Sequence, residues 1–283
     1  MKNILFSSVA IKMKKGLIMK TKDWARLAAP SAKLERMEAY FSGYGFAPHR
    51  HDTYAIGLTV AGVHNFNYRK VIRHSLPGNA VILHPDELHD GEAGTQEGFH
   101  YKILYIQPEL IQNILGGQSL PFVPDGVSKD TRITSAVSGL LDRLDNPLES
   151  LEEDDGVYDL VQAMSAVSNQ KIKRRKLNYS AAEMAREYIL NCLDRVVTLE
   201  DLELITDTDR WSLSRDFRAL YGTSPYRYLT LRRLDKARAM IRQDMALVDT
   251  AISCGFTDQS HMTHHFTKNY GITPGRWAEI LSA

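Results

Sequence analysis

A stretch of about twenty residues occurs twice in the last third of the chain. Residues 209–228 read DRWSLSRDFRALYGTSPYRY, and residues 258–277 read DQSHMTHHFTKNYGITPGRW. When the second stretch is aligned with the first, an aspartate, a phenylalanine, a Tyr-Gly pair, a proline and an arginine coincide. Self-similarity of this kind indicates a repeated structural unit, so the fold must accommodate the same unit twice.

Each copy contains the signals of a helix with defined ends. Asp209 and Asp258 occupy N-cap positions, apolar residues follow at helical spacing, and a glycine ends each helix. A Ser-Pro or Thr-Pro pair then starts another helix. Short amphipathic segments precede the copies at residues 198–205 and 247–252. Two short helices joined by a tight turn form a helix-turn-helix, whose second helix can enter the major groove of DNA, so the sequence predicts two such units.

The stretch between the copies predicts one connecting helix. Residues 226–243 contain no glycine or proline and carry apolar residues at helical spacing. At 1.5 Å per residue this helix is about 27 Å long. That length is close to the roughly 34 Å that separates successive major-groove faces, so the two units are expected to sit about one turn of DNA apart.

Residues 180–283 resemble the DNA-binding domain of the AraC family of bacterial transcription regulators. The residues that carry the resemblance are Leu213-Ser-Arg215, Phe217 and Tyr221-Gly-Thr-Ser-Pro225 in the first unit, and Gly255-Phe256, Asp258-Gln-Ser-His261, Phe266 and Gly271-Ile-Thr-Pro274 in the second. The chain departs from the family pattern at three positions. His264 stands where an arginine is usual, Asp207 where a glycine is usual, and Thr208 where an apolar residue is usual. The resemblance implies that both units bind double-stranded DNA.

The exposed face near the start of each second helix predicts the residues that read DNA. These residues are Arg210, Trp211, Ser214 and Arg215 in the first unit, and Gln259, Ser260, Thr263 and His264 in the second. The Arg215 guanidinium can form a bidentate pair with guanine, and the Gln259 amide can form one with adenine. Two alternatives stay open, in which Arg215 is a structural salt-bridge residue and Trp211 is the edge of the core.

The N-terminal half has the period of β-strands. Between residues 35 and 107, short β-rich runs alternate with turn signals, which favours a small β-barrel or sandwich. Tyr54–Val60 and Val63–Arg69 flank an Ala-Gly pair and predict a hairpin. The string Pro48-His-Arg-His-Asp52, with Leu76-Pro-Gly-Asn79 and the later His89, resembles the two motifs of the cupin barrel. Many AraC-type regulators carry such a barrel as their effector-binding domain.

Seven of the ten histidines lie between residues 49 and 100, and three of them leave the chemistry open. His49, His51 and His89 could form a three-imidazole site for a transition metal, hydrogen-bond a small polar ligand, or be structural. No glutamate follows His51 at the spacing usual in metal-binding cupins. The hypothesis adopted is contact with a small-molecule effector by His49, His51, Tyr54 and His89, with no metal, no cofactor and no catalytic residue.

Two apolar stripes predict two helices between residues 130 and 168. The stripes could pack on the barrel. By resemblance, helices at this place in the chain could instead form the contact of a homodimer. Both alternatives remain open at this point.

The predicted layout has four segments. They are an extension at residues 1–20 that is disordered or misassigned, a cupin-like domain at 21–167, a basic linker at 168–178 and a DNA-binding domain at 179–283. The formal net charge of +1 hides an acidic N-terminal body and a basic C-terminal part, which suits a single nucleic-acid-binding module. Two cysteines are too few for a disulfide framework, and no apolar run is long enough to cross a membrane, so a cytoplasmic protein is expected.

These patterns predict an α+β protein of two domains, an N-terminal cupin-like β-barrel with packed helices and a C-terminal all-α double helix-turn-helix. The predicted function is an AraC-type transcription regulator controlled by a small-molecule effector, with double-stranded DNA and RNA polymerase as partners. A metal-dependent cupin enzyme with a DNA-binding appendage is the alternative from another class. A purely architectural DNA binder is a third.

Overall fold

A computed structural model describes residues 23–31, 33–168 and 177–281. The chain divides there into two compact domains, one formed mainly by the residues up to 168 and the other mainly by the residues from 177. The extension predicted at residues 1–20 and most of the linker predicted at residues 168–178 lie outside the described residues.

The N-terminal domain contains two antiparallel sheets. Its strands are β1 (Trp24–Leu27), β2 (Glu35–Phe41), β3 (Tyr44–His49), β4 (Tyr54–Gly62), β5 (His64–Tyr68), β6 (Val71–Ser75), β7 (Ala80–Leu83), β8 (His89–Ala93), β9 (Phe99–Ile106) and β10 (Val127–Ser128). The larger sheet has the order β1-β2-β9-β4-β7-β10, and the smaller sheet has the order β3-β8-β5-β6. The sheet-rich N-terminal domain is therefore confirmed, with its strands divided between two sheets.

β4 and β5 do not form the hairpin predicted from Tyr54–Val60 and Val63–Arg69. β4 pairs with β9 and β7 in the larger sheet, whereas β5 pairs with β6 and β8 in the smaller sheet. The chain turns at Gly62, whose φ of 71° is left-handed and where a Cβ atom would collide with the Gly98 carbonyl oxygen. The Ala-Gly pair is thus a corner between two sheets. The hairpin prediction was wrong because a corner and a hairpin turn both need glycine at such a position.

Three helices accompany the sheets. They are α1 (Pro108–Leu115), α2 (Thr131–Leu141) and α3 (Ser150–Val167). The two predicted apolar stripes lie in one core with the larger sheet, where Val137 of α2 and Val161 of α3 pack with Ile56 and Leu104. The stripes therefore pack on the sheet, which is the first of the two alternatives for residues 130–168.

A buried arginine joins the larger sheet to the end of α2. Arg36 on β2 is 2% exposed, and its guanidinium donates to the carbonyls of Leu140, Arg143 and Asn146 at 3.1, 3.2 and 3.1 Å. The Leu140 carbonyl lies in the last turn of α2, where carbonyls lack intrahelical partners and carry partial negative charge, and the other two belong to the segment that follows the helix. Arg36 satisfies these carbonyls and fixes the end of α2 on the sheet.

The C-terminal domain is helical and repeats one unit. Its helices are α4 (Tyr179–Asn191), α5 (Leu199–Thr206), α6 (Arg210–Tyr221), α7 (Pro225–Ile241), α8 (Leu247–Ser253), α9 (Gln259–Tyr270) and α10 (Pro274–Leu281). We call α5 and α6 the first unit and α8 and α9 the second unit. The carboxylates of Asp209 and Asp258 cap α6 and α9 by accepting a backbone N–H three residues later, at 3.0 and 2.7 Å. Across both domains, none of the described helices combines the length and the apolar character that a membrane span requires.

α7 contributes to two apolar cores. Tyr228 and Leu229, near its start, pack in the core of the first unit. Leu234 and Ala237, farther along, pack in the core of the second unit. One continuous helix of 17 residues, about 25 Å long, therefore holds both units, as the sequence predicted.

The turns of the two units use different residues for one backbone conformation. In the second unit Gly255 has a φ of 75°, and a Cβ atom there would collide with the Leu193 carbonyl oxygen. In the first unit Asp207 follows α5 with a φ of 46°. The left-handed conformation costs a residue with a side chain roughly 1–2 kcal/mol. The sequence departure at Asp207 therefore places backbone strain in the turn of the first unit.

One histidine of the N-terminal domain is buried without a hydrogen bond. His64 on β5 is 5% exposed and stacks on Phe99 with ring centroids 4.4 Å apart. Neither of its ring nitrogens has a hydrogen-bond partner among the described residues. Burial lowers the pKa of His64 to about 3, because an imidazolium would lose its hydration there without gaining a partner.

Substitutions in the two turns should have different effects on stability. We expect Gly255→Ala to lower the free energy of unfolding of the C-terminal domain by about 2 kcal/mol or more, because the left-handed cost and a steric collision add. We expect Asp207→Gly to leave that free energy unchanged or to raise it by up to about 1 kcal/mol, since glycine relieves the strain but loses more chain entropy. Urea unfolding of the full chain, followed by helical circular dichroism, measures both changes. A Gly255→Ala protein as stable as the wild type would contradict this turn geometry.

Acid should destabilise the N-terminal domain through His64. Its folded-state pKa of about 3 lies below the unfolded value of about 6.5, so the unfolded chain binds the additional proton between these values. The stability contributed by the neutral ring is complete above roughly pH 6.5 and falls as the pH drops, by about 2 kcal/mol at pH 5. His64→Leu removes this proton uptake. Between pH 8 and pH 5, its free energy of unfolding should therefore fall by about 2 kcal/mol less than that of the wild type. Urea unfolding at both pH values tests this, and identical pH dependence of the two proteins would show that His64 is not responsible.

Candidate functional site

The first helix with DNA-reading candidates is α6. Trp211 is 71% exposed, and Arg215 is also exposed. The Arg215 guanidinium donates to the Ser212 hydroxyl at 3.1 Å, and no carboxylate pairs with it among the described residues. Both side chains therefore lie on the accessible face of α6. Arg215 is therefore not in a salt bridge with any described residue, and Trp211 is not at the edge of the core.

Two other candidates on α6 differ from the expectation. The Arg210 guanidinium pairs with Glu203 at 2.9 Å and also with Glu200, both on α5. Ser214 is only 8% exposed, and its hydroxyl accepts a hydrogen bond from Arg218 at 2.6 Å. Arg210 therefore joins the two helices of the first unit, and Ser214 faces the interior. The sequence did not identify the partners of Arg210, because those contacts depend on how α5 packs on α6. The partner of Ser214 lies four residues along the same helix, so helical spacing was the available signal.

The candidates on α9 divide by exposure. Ser260 and His264 are exposed, whereas Gln259 and Thr263 are half-buried. All four lie near the start of the helix, one and two residues after the Asp258 cap and one turn farther on. The candidates of the second unit therefore offer two hydroxyls, an amide and an imidazole, whereas the exposed candidates of the first offer a guanidinium and an indole.

A pair of histidines on α9 was not predicted. The Nε2 atoms of His261 and His265 lie 3.1 Å apart, one helical turn from each other. Burial, followed by the charge of the neighbouring His261, lowers the pKa of His265 to about 4. The spacing of four residues in the sequence was the available signal, since such residues share a helix face.

The N-terminal domain brings three predicted histidines together. His49, the last residue of β3, is directly opposite His89 of β8, and His51 follows two residues after the end of β3. The ring centroids of His49 and His89 are 4.4 Å apart, and those of His51 and His89 are 4.7 Å apart. The sequence placed His49 and His51 on one strand, whereas His51 lies beyond the strand end. All three rings nevertheless converge.

Each of these three rings is oriented by the backbone. Nδ1 of His49 lies 2.9 Å from the Ala47 carbonyl oxygen, and Nδ1 of His51 lies 2.9 Å from that of Thr53. Nδ1 of His89 makes the same contact with a carbonyl at 2.9 Å, two residues away. A carbonyl oxygen only accepts, so each Nδ1 carries the proton and donates it. Burial is the largest cause that lowers the pKa of all three rings, to about 3 for His51.

Tyr54 does not belong to this cluster. Its side chain is 1% exposed in the core of the larger sheet, and its hydroxyl donates to the Pro121 carbonyl at 2.8 Å. Side chains alternate between the faces of a strand, and the Tyr54 side chain lies on the face toward the helices, whereas that of Ala55 faces the histidines. The assignment of Tyr54 beside the three histidines was therefore incorrect.

We call the space beside the three rings the imidazole pocket. Its lining residues are Phe46, His49, His51, Ala55, His64, Leu83, His89, Asp90, Tyr101, Ile103 and Tyr105. The cavity has a volume of about 20 Å³. Tyr101 and Tyr105 were missed by the sequence analysis, although their spacing along β9 places them on one face. The Tyr101 hydroxyl is buried and has no hydrogen-bond partner among the described residues.

Two family models match the chain. An AraC-like ligand binding domain matches residues 31–161, and a helix-turn-helix domain matches residues 205–280. The first match contains both sheets and the imidazole pocket, apart from β1. The second match contains α6, α7 and α9.

Transcription regulators are similar to the chain over most of its length. The HTH-type transcriptional regulator YbfI of Bacillus subtilis is 24% identical over 235 residues, which cover 80% of this chain and 86% of that protein. The HTH-type transcriptional activator RhaS of Escherichia coli is 26% identical over 248 residues, which cover 81% of this chain and 86% of that protein.

Solved structures with low sequence identity share the fold. ToxT from Vibrio cholerae is similar with a TM-score of 0.59 and 12% identity, over 89% of this chain and 100% of that chain. A structure of ToxT bound to an unsaturated fatty acid has a TM-score of 0.56 and 11% identity, over 93% of this chain and 97% of that chain. The fold, the repeated helix-turn-helix and the two family matches agree, and the chain belongs to the AraC family of transcription regulators, with an AraC-like ligand-binding domain and a helix-turn-helix DNA-binding domain.

Proposed function

We propose that this protein regulates transcription by binding a specific DNA sequence through both units, and that a small-molecule effector in its N-terminal domain changes that binding. The observation that carries the proposal is the continuous helix α7, whose side chains belong to the cores of both units. Two DNA-reading helices attached to one rigid helix can read two neighbouring major-groove segments together.

The two units would contribute unequally to recognition. Arg215 offers a guanidinium that can pair with guanine in a bidentate manner, a contact worth roughly 1–3 kcal/mol of discrimination. The second unit offers Gln259, Ser260, Thr263 and His264, of which Gln259 is best suited to adenine. Arg210 would contribute less than its charge suggests, because Glu200 and Glu203 already neutralise it.

The effector would bind in the N-terminal domain, where the AraC-like ligand-binding match supports a small ligand. The imidazole pocket measures about 20 Å³, far below the roughly 300–1,000 Å³ of ordinary pockets for organic ligands. One ToxT structure holds an unsaturated fatty acid. The pocket here is small and lined by imidazoles and phenols, so a fatty acid is not proposed as its ligand.

The first test is footprinting on DNA upstream of the protein's own gene and its neighbours. The proposal predicts two contacted segments about 10 base pairs apart, one for each unit. Transcription in vitro with purified RNA polymerase then shows whether occupancy activates or represses, and tests the proposed contact with the polymerase. An architectural DNA binder would protect DNA without a preferred sequence and would leave transcription unresponsive to added metabolites.

The asymmetry between the units gives a mutational test. We expect Arg215→Ala to weaken operator binding about tenfold or more and to relax specificity at one base pair, because a bidentate contact is lost. At pH 8, His264→Ala should weaken operator binding less than Arg215→Ala does. Arg195→Ala is the matched control, since it removes the same charge from an exposed loop outside both units. Fluorescence anisotropy with labelled operator DNA measures all three.

The result that would reverse this assignment is a larger loss for His264→Ala than for Arg215→Ala at pH 8. It would mean that the second unit dominates recognition. A loss for Arg195→Ala equal to that for Arg215→Ala would mean that net charge, and no base contact, explains the effect.

We also propose a homodimer that uses the outer face of the helices in residues 130–168. The inner stripes are buried on the sheet, so only outward side chains remain for a partner. Leu151 and Tyr158 of α3 are 72% and 53% exposed. We expect sedimentation velocity to give a dimer, and Tyr158→Glu to shift the equilibrium towards monomer because a charge would be desolvated at the contact. Weak dimers form at about tens of micromolar protein. If the wild-type protein sediments as a monomer in that range, the dimer proposal is wrong.

A further inference from the structure

We propose that His49, His51 and His89 bind one divalent transition-metal ion through their Nε2 atoms, and that this ion is the ligand to which the regulator responds. One ring nitrogen from each of the three side chains lies within 4.8 Å of the other two. Three imidazoles around one point form a known ligand set for zinc, and imidazole also suits copper, iron and nickel. The binding half of this inference stands on the N-terminal domain alone, whereas the regulatory half rests on the proposed function.

The hydrogen bonds of the three rings select the ligand atoms. Each Nδ1 donates to a backbone carbonyl at 2.9 Å, so each Nε2 carries the lone pair. Metal-binding histidines usually have this arrangement, in which the second ring nitrogen donates to a carbonyl or carboxylate and fixes the ring. Among the described residues, the three Nε2 atoms have no hydrogen-bond partner. The backbone has therefore oriented three lone pairs, and the part of the chain that the structure describes supplies no donor to them.

The distances suit a metal after a small movement. If the three nitrogens were 4.8 Å apart in each pair, the point equidistant from them would lie about 2.8 Å from each. Zinc–nitrogen bonds are about 2.0–2.1 Å long, so each ring would need to approach by at most about 0.7 Å. A tilt of each ring about its existing Nδ1 hydrogen bond can supply such a movement. His49 is the least buried of the three rings and has the most freedom to move.

The volume of the imidazole pocket favours an ion over an organic molecule. A cavity of about 20 Å³ exceeds the roughly 10–15 Å³ needed for one water molecule, and it is far smaller than a metabolite requires. An ion with one bound water or a small anion matches this size. An organic effector enclosed beside the three rings does not.

A buried phenol gives a second and independent indication. Tyr101 lines the same pocket, and its hydroxyl is buried with no hydrogen-bond partner among the described residues. Burial raises the pKa of Tyr101 well above its ordinary value, so the group remains an O–H donor. A water, hydroxide or anion in the open coordination position of a three-histidine ion would accept that hydrogen bond. A single occupant, an ion that carries such a water or anion, would therefore satisfy both the buried phenol and the three lone pairs.

The binding test uses the full chain without a histidine tag. After chelator treatment the protein is titrated with Zn²⁺ by calorimetry and with Co²⁺ by visible absorption, which reports tetrahedral coordination. We expect one ion per chain and at least a tenfold loss of affinity in His49→Ala and in His51→Ala, since even loss of a group that orients a ligand costs about that much. His74→Ala, an exposed histidine of the same domain, is the matched control and should bind normally.

Two further measurements keep the result interpretable. His265→Ala separates the imidazole pocket from the histidine pair on α9, and it should leave the tight site intact. Thermal unfolding of each metal-free variant shows whether it folds, and His49→Ala, the least buried position, is expected to unfold at the wild-type temperature. No saturable binding by the wild type, or equal binding by His49→Ala, overturns the site.

The regulatory half is tested by operator affinity with and without Zn²⁺. We expect at least a fivefold change for the wild type and none for His49→Ala, a coupling of ordinary size for a regulated protein. If one ion binds per chain and operator affinity does not change, the ion is no effector, although the site stands. If the protein binds no specific DNA at all, the proposed function fails while the calorimetric result still decides the metal site.

Discussion

The apolar contacts of α7 hold the C-terminal domain together. Tyr228 and Leu229 belong to one core, and Leu234, Ala237 and Ile241 belong to another, yet all five lie on one uninterrupted helix. Bending α7 would withdraw buried side chains from at least one core, and each fully buried aliphatic side chain is worth roughly 1.5–3 kcal/mol. The separation of α6 and α9 is therefore set by packing within the protein and does not require DNA to establish it.

The sequence was most informative where its signals are local. The repeat, the aspartate N-caps, the glycine stops and the linking helix depend on residues within a few positions of each other, and the structure contains all of them. The two helices of residues 130–168 follow from periodicity in the same way. Exposure was harder to predict. Arg210 pairs with carboxylates on α5, a contact that only the packed helices show, and Ser214 is turned towards the interior and accepts from Arg218 one turn along α6.

The N-terminal domain was less predictable, because its topology is not local. The sheet that a strand joins depends on partners dozens of residues away. The sequence from Tyr54 to Arg69 therefore predicted a hairpin, whereas the chain passes there from one sheet to the other. The same limitation assigned Tyr54 to the imidazole pocket. The period of two along β9 would have suggested Tyr101 and Tyr105, once the inward face of that strand was known.

The buried histidines of this domain show that burial alone does not make a ligand. His84 is already saturated, because its Nε2 accepts the Val123 N–H at 3.0 Å and its Nδ1 meets the Tyr68 hydroxyl at 2.5 Å. His64 is stacked on Phe99 and has no backbone group to orient either nitrogen. Among the described histidines of this domain, only His49, His51 and His89 combine an Nδ1 fixed by a backbone carbonyl with an unpartnered Nε2 lone pair. Their chemistry comes from three backbone carbonyls as much as from the imidazoles.

The corner at Gly62 has a mechanical consequence for the N-terminal domain. β4 lies in the sheet that supports α2 and α3, and β5 lies in the sheet that carries His49 and His89, with only Val63 between the two strands. A tight left-handed turn that cannot accept a side chain offers little slack. This short segment would therefore help to transmit a shift of the smaller sheet, such as one that draws three rings around an occupant, to the sheet beneath the helices. The covalent chain itself, rather than a movable loop, would relay the event between the two layers.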